Sequence, residues 1–228
     1  MEADEKHPEL VTFIAVVANN WTLLEMELAE TLAHFLHTQP AIGLAIHNAI
    51  TSVRLKQATV AEAATARQPP LTDEQTKVLH ILLSALLQTY DKRIVIEHGM
   101  WAYSPDLTDA LLRINPKHVL KHQVLAEPRY FVHVEREDGA LLSVRNSAPF
   151  VPATLVEVYE KQDFMDVINQ IGELANLFAT FRHWTSSPSP AREQLRLRLC
   201  DLPRIREILS PSPKAPRSKP SKPRQSPP

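Results

Sequence analysis

The sequence predicts a mainly α chain: an antiparallel helical bundle with a small β insertion and a disordered C-terminal tail. Three observations lead there. Apolar residues recur at steps of three and four through long stretches, the period of one helix face. Glycine is scarce, with four residues against nineteen prolines, and seven of those prolines fall after Ser210. The body therefore has few of the residues that tight hairpins demand. From residue 211 onward Pro, Ser, Lys and Arg make up almost everything, with nothing large and apolar to bury.

The first helix runs from Leu10 to about His37, with Leu10, Ile14, Val17, Trp21, Leu24, Leu28 and Phe35 in one stripe that misses only at Thr31. That spacing is nearly a heptad seam. Pro40 suits the first turn of a second helix, whose stripe of Ile42, Ile46, Ala49, Ile50, Val53 and Val60 continues until Arg67-Gln68-Pro69-Pro70 ends it. Thr72 followed by Gln75 is a capping-box pattern, each side chain satisfying a free amide of the other's backbone. It opens a third helix whose stripe is Leu79, Leu82, Leu83, Leu86, Tyr90 and Ile94, with Gly99 as its stop.

After Trp101 the helical period fades, Ser104-Pro105 makes a turn, and Asp109 to Lys121 mixes short apolar runs with Pro116. Tyr130 to Val134 and Leu141 to Arg145 are β-prone runs around Glu-Asp-Gly and resemble a hairpin; Thr154 to Tyr159 adds a candidate strand. The helical period returns from Gln162 to Trp184 through Phe164, Val167, Ile168, Ile171, Leu174, Ala175, Phe178 and Phe181. Four such helices can bury one another's stripes. Ser-Ser-Pro-Ser-Pro then reads as a linker, and alternation of Leu195, Leu197 and Leu199 with Arg196 and Arg198 favours a strand over those residues. The expected organisation is a helical domain over 1–184 with a β insertion near 100–160, a linker and Leu/Arg-rich extension over 185–210, and a tail over 211–228.

Charge and cysteine content narrow the class. The total is −1, but the tail carries +5, which leaves −6 on the residues before it. An acidic body disfavours a broad nucleic-acid-coating surface, so RNA would need a local cationic site or the tail. Cys200 is the single cysteine and the first residues are acidic; no internal disulfide or secretory leader is expected, and a cytoplasmic location follows. The apolar cluster Val78 to Leu87 is about half the roughly twenty residues a bilayer requires, so no membrane association is expected. No glycine-rich phosphate loop, Cys-x-x-Cys pair or nucleophile elbow is present, and no cofactor is expected.

The segment most in need of a chemical explanation is Tyr90-Asp-Lys-Arg-Ile-Val-Ile-Glu-His-Gly-Met-Trp101, where Arg93 and His98 lie five residues apart at a helix end. This Arg-x4-His string, followed by His-Gly-x-Trp, resembles the signature of the HEPN superfamily, including many bacterial HEPN-like proteins. The entry to the last helix, Tyr159 to Phe164, looks similar as well. The resemblance implies a HEPN-like bundle acting as a homodimer. It also implies metal-independent endoribonuclease activity on single-stranded RNA, of the kind found in toxins and phage-defence components. Where such proteins commonly carry a polar residue after the arginine, this chain has Ile94.

On that reading Arg93 binds phosphate through its planar fork of donors and His98 moves protons near neutral pH. Tyr90, Glu97 and Trp101 are supporting residues. Two positions five apart on an ideal helix point about 140° from each other, so either the helix is distorted near Gly99, or Arg93 bends around, or the pair meets its counterparts from a second copy across a twofold axis; the last, composite arrangement is what the resemblance implies. The same residues also read without catalysis, as an i, i+4 ion pair between Arg93 and Glu97 and an ordinary helix end at His98-Gly99. That alternative makes the chain a catalytically silent helical interaction protein. Trp21 and Trp101 read most simply as core, and His34 and His37 as surface or cap residues. His118 and His122 have zinc-compatible i, i+4 spacing but no third ligand is marked. The basic tail, with its Pro-x-x-Pro spacings, could contact RNA or a protein partner.

Overall fold

The first helix, α1 (Pro8–Phe35), places its stripe as the sequence predicts: Val17, Trp21, Leu24, Leu28 and Phe35 are all buried. Thr31 interrupts the stripe chemically but not sterically, because its hydroxyl donates to Glu27 O of its own helix at 2.7 Å and is buried without an unmet donor. In the computed structural model the described residues are 8–104, 107–115, 117, 131–135, 141–145, 156–187 and 189–203. The expected tail lies outside them. So do His118 and His122.

α1 closes with Thr38 N–H donating to Ala33 O and His37 N–H to His34 O, the paired bonds of a Schellman ending. His37 takes the left-handed position at φ 52° and is held there by an Nε2 bond to Gln68 O at 2.7 Å.

The predicted second helix is two. α2 (Pro40–Ala49) ends at the extended Ile50, and α3 (Val53–Ala66) restarts after Ser52, whose hydroxyl accepts from Leu55 N. The buried face of α2 also differs from expectation: Gly43 and His47 are inside, while Ile42 is exposed. Gly43 decides this. A Cβ there would lie 2.5 Å from Ala29 O and 2.6 Å from the Ala33 Cβ, so only glycine lets the α2 backbone approach α1 this closely.

The capping box at Thr72 and Gln75 opens α4 (Asp73–Glu97), with both reciprocal bonds formed. Beyond it β1 (Met100–Ser104) and β2 (Leu107–Ile114) run antiparallel, strands the fading helical signal did not reveal. The predicted hairpin is present as β3 (Phe131–Glu135) and β4 (Leu141–Arg145), antiparallel with Phe131 opposite Arg145. β5 (Val156–Glu160) joins β2 to give a three-stranded antiparallel sheet in the order β1-β2-β5. It leads directly into α5 (Lys161–Ser186), where the Asp163 carboxylate accepts from Glu160 N–H at 2.8 Å.

The core forms where α1, α4 and α5 meet, through Trp21, Leu28, Leu82, Leu86, Phe164, Phe178 and Phe181. Burying each such side chain contributes about 1.5–3 kcal/mol. The Leu/Arg alternation expected to favour a strand is instead helix α6 (Ser189–Cys200). Leu195 and Leu199 are i, i+4, and Leu199 is fully buried in the core while Leu197 is exposed. The helical subset of the leucines decided the outcome.

Candidate functional site

The cap at Thr72 fixes where α4 begins, and its unbroken run to Glu97 fixes which way Tyr90, Arg93, Glu97 and His98 point. Arg93 lies on the core-facing margin. Its guanidinium carbon sits 5.3 Å from the centre of the Trp21 ring and 5.9 Å from that of Tyr90, and the two rings are tilted against each other at 5.6 Å. Arg93 Nε donates to Glu97 Oε1 at 2.6 Å, and a second guanidinium nitrogen pairs with Glu97 Oε2. The fork that would grip a phosphate is therefore filled by a carboxylate one turn on, with a cation–π contact beneath it.

His98 is the helix C-cap, its N–H donating to Ile94 O at 3.1 Å, and its side chain is exposed. The helix stays regular ahead of it, so the wide angular separation from Arg93 stands. No contact joins the two side chains among the described residues.

Trp101 turns inward. Its indole N–H donates to Ile96 O at 3.0 Å, and its ring meets Tyr159 edge-on at 5.2 Å and Phe164 at 5.4 Å. It pins the start of β1 against the end of α4 and the entry to α5, and it is partly buried against the core there.

The residue that sequence reasoning missed here is Arg113. Buried on β2, it donates from Nε to Val95 O at 2.8 Å, satisfying a carbonyl in the last turn of α4, and from NH1 to Glu157 Oε2 at 2.6 Å. Gly99 makes room for it: a Cβ there would lie 3.0 Å from Arg113 Cγ. An arginine in an unrecognised strand gave no local signal of this bond.

A cleft of about 630 Å³ opens on this side of α4. The charged groups lining it are Asp91, Asp163, Asp166 and Glu157 against Lys92 and Arg113, and Arg113 is already paired with Glu157. Burial, then Glu157, raises the Tyr159 pKa above the ordinary tyrosine value, so its hydroxyl stays protonated. An acidic cleft with a neutral phenol repels a polyanion. No group of three or more His, Cys, Asp or Glu side chains is placed to hold a metal among the described residues.

Comparison with protein-family models, curated proteins and solved structures found no match. Among the described residues no helix is long and apolar enough to cross a membrane.

Proposed function

We propose that the chain is a HEPN-like helical interaction protein, self-associating as a homodimer, in which Arg93 serves the fold and not catalysis. The observation that carries this reading is the two-point engagement of Arg93 by Glu97 over the Trp21 ring. To hold a phosphate, Arg93 would first have to release a partly buried carboxylate, which would then repel the incoming anion. Ile94, in place of a polar residue after the arginine, supports the same conclusion, as does the acidic cleft beside α4.

A second reading, the metal-independent endoribonuclease, is favoured by one observation: His98 is exposed at the helix end, where an imidazole from each of two copies could reach a shared substrate. RNA cleavage in the presence of a chelator separates the two. The interaction protein leaves single-stranded RNA intact, or cleaves it equally in the parent, Arg93→Ala and His98→Ala, which assigns the cleavage to contamination. Arg93→Ala is expected to lower stability by about 1–2 kcal/mol through lost packing and ion pairing. Chelator-resistant cleavage abolished in both variants would overturn the proposal in favour of the nuclease.

A further inference from the structure

Two hollows follow one another along the seam between α4 and α5. The first, about 210 Å³, is mostly apolar: α4 contributes Ile81 to Thr89 and α5 contributes Gln170 to Leu177, with Leu202 and Pro203 closing one side. The second is the acidic cleft of about 630 Å³, to which α4 contributes Asp91 to Ile96 and α5 Asp163 to Val167. The order along α4 is the reverse of the order along α5, so the hollows are consecutive stretches of one groove between antiparallel helices. A hydrogen bond ties them together: Lys92 of the cleft donates from Nζ to Oε1 of Gln170 in the apolar hollow at 2.7 Å.

Carboxylates run along this groove. Asp163, Asp166 and Glu173, with Gln170 between, recur on α5 at steps of three and four and so share a face, over about 15 Å of helix. Asp91 lines the cleft from α4. All four are exposed, and none forms an ion pair among the described residues. Asp163 accepts from Glu160 N–H and Asp166 from Gln162 Nε2, which leaves both charges unneutralised. Of the cations present, Arg113 is paired with Glu157 and Lys92 is set against the neutral amide of Gln170.

The described chain ends at Pro203, in the wall of this groove. Lys214, Arg217, Lys219, Lys222 and Arg224 follow in the sequence, with no acid from residue 211 onward. From Pro203 to Lys214 the chain spans up to about 36 Å when extended, against about 10 Å along α5 from Glu173 to Asp166. Length does not limit the approach. The prolines remove the N–H groups that an added strand would need, but they favour an extended helix without internal hydrogen bonds, which loses less freedom on docking than a flexible chain does.

We propose that this groove is the docking site of the chain's own basic tail, with residues 214–224 lying along the carboxylates of α5 and Asp91 and covering the acidic cleft. Nothing in this depends on whether Arg93 and His98 are catalytic.

A zero-length carbodiimide joins a carboxylate to an amine only where the two touch, so it reads the contact directly in the full chain. Mass spectrometry is expected to find Lys214, Lys219 or Lys222 coupled to Asp91, Asp163, Asp166 or Glu173, and to lose these products in about 1 M salt, where the screening length falls to about 3 Å. Mixing and equilibrating ¹⁵N-labelled with unlabelled chain is expected to leave every such product within one isotope. A synthetic peptide of residues 211–228 supplies the second measurement. Because a tethered tail competes at high effective concentration, the peptide is expected to bind a variant whose five tail cations are glutamine at least about tenfold more tightly than it binds the parent. Adding Asp91→Asn and Asp166→Asn to that variant alters only exposed carboxylates, and is expected to weaken the peptide about tenfold again. Tail lysines that couple nowhere in the groove, or over the surface at random, overturn the proposal. Mixed-isotope products overturn it by making a second copy's tail the occupant. Equal peptide binding by the parent and the neutralised-tail variant overturns it as well, since the groove is then open to a basic segment of another protein.

Discussion

His34 shows how a side chain that reads as surface becomes part of the interior through a contact far away in sequence. Its Nε2 lies 2.8 Å from Thr185 Oγ1, and because that hydroxyl's proton goes to Arg182 O at 2.9 Å, the oxygen accepts and Nε2 carries the hydrogen. Burial first, and then the charges of Arg67, His37, Arg182 and His183, pull its pKa down to about 4. His47, buried on α2 with both ring nitrogens unpartnered, is lowered in the same direction by burial and by Lys56, against the opposing pull of Glu25. A depressed folded-state pKa means that the unfolded chain binds the proton more tightly. The stabilisation is thus complete above the unfolded value near 6.5 and is lost as pH falls toward 4. Allowing for solvent screening of a partly exposed group, His34 is expected to cost about 1–2 kcal/mol of stability between pH 7 and pH 5. Urea denaturation at the two pH values, comparing the parent with His34→Gln, isolates this contribution. Parallel losses in the two proteins would show that His34 does not supply it. The sequence reading placed His34 and His37 at the right helix end but could not foresee Thr185 or Gln68 as their partners, since both contacts cross between elements.

What was legible among the elements was local. The Thr72 and Gln75 capping box fixed the start of α4, and the stripes of α1 and α5 fixed their buried faces, because cap and stripe are written within a few turns of chain. The break between α2 and α3 was not legible, since the apolar spacing runs through it and the deciding feature is the approach of Gly43 to α1. The strand expectation at Leu195 to Leu199 failed for a related reason: three alternating leucines fit period two, while only Leu195 and Leu199 find a core to enter. β1 and β2 went unseen, and with them the bond from Arg113 to Val95 that fastens the sheet to α4. That bond carries a prediction. Arg113→Met retains the apolar stem but strips Val95 O of its donor and Glu157 of its cation, and is expected to destabilise the chain by about 1–3 kcal/mol. Hydrogen exchange should quicken selectively in the last turn of α4 and in β2. Unchanged protection there would mean that the sheet and the helix hold together without it.

The candidate site was legible as residues but not as an arrangement, because whether Arg93 grips Glu97 or a ligand depends on Trp21, seventy-two positions earlier in the chain. A comparable dependence bears on the proposed homodimer. Of the nine large apolar side chains that remain exposed among the described residues, six lie between residues 23 and 55: Leu23, Met26, Leu36, Ile42, Leu44 and Leu55. Their concentration on the first three helices and the turn after α1, in a body that carries net negative charge and would otherwise repel a second copy, favours an apolar contact between protomers. A stable interface covers about 800 Å² per partner, and each of these side chains, once buried, contributes about 1.5–3 kcal/mol before the cost of association is subtracted. Light scattering at micromolar concentration is therefore expected to give twice the 25.7 kDa chain mass. The double variant Ile42→Glu, Leu44→Glu alters only exposed positions of α2 and is expected to halve that mass while the far-ultraviolet circular dichroism stays unchanged. If the parent itself weighs a single chain, the homodimer fails, and the composite nuclease site, which needs two copies, fails with it.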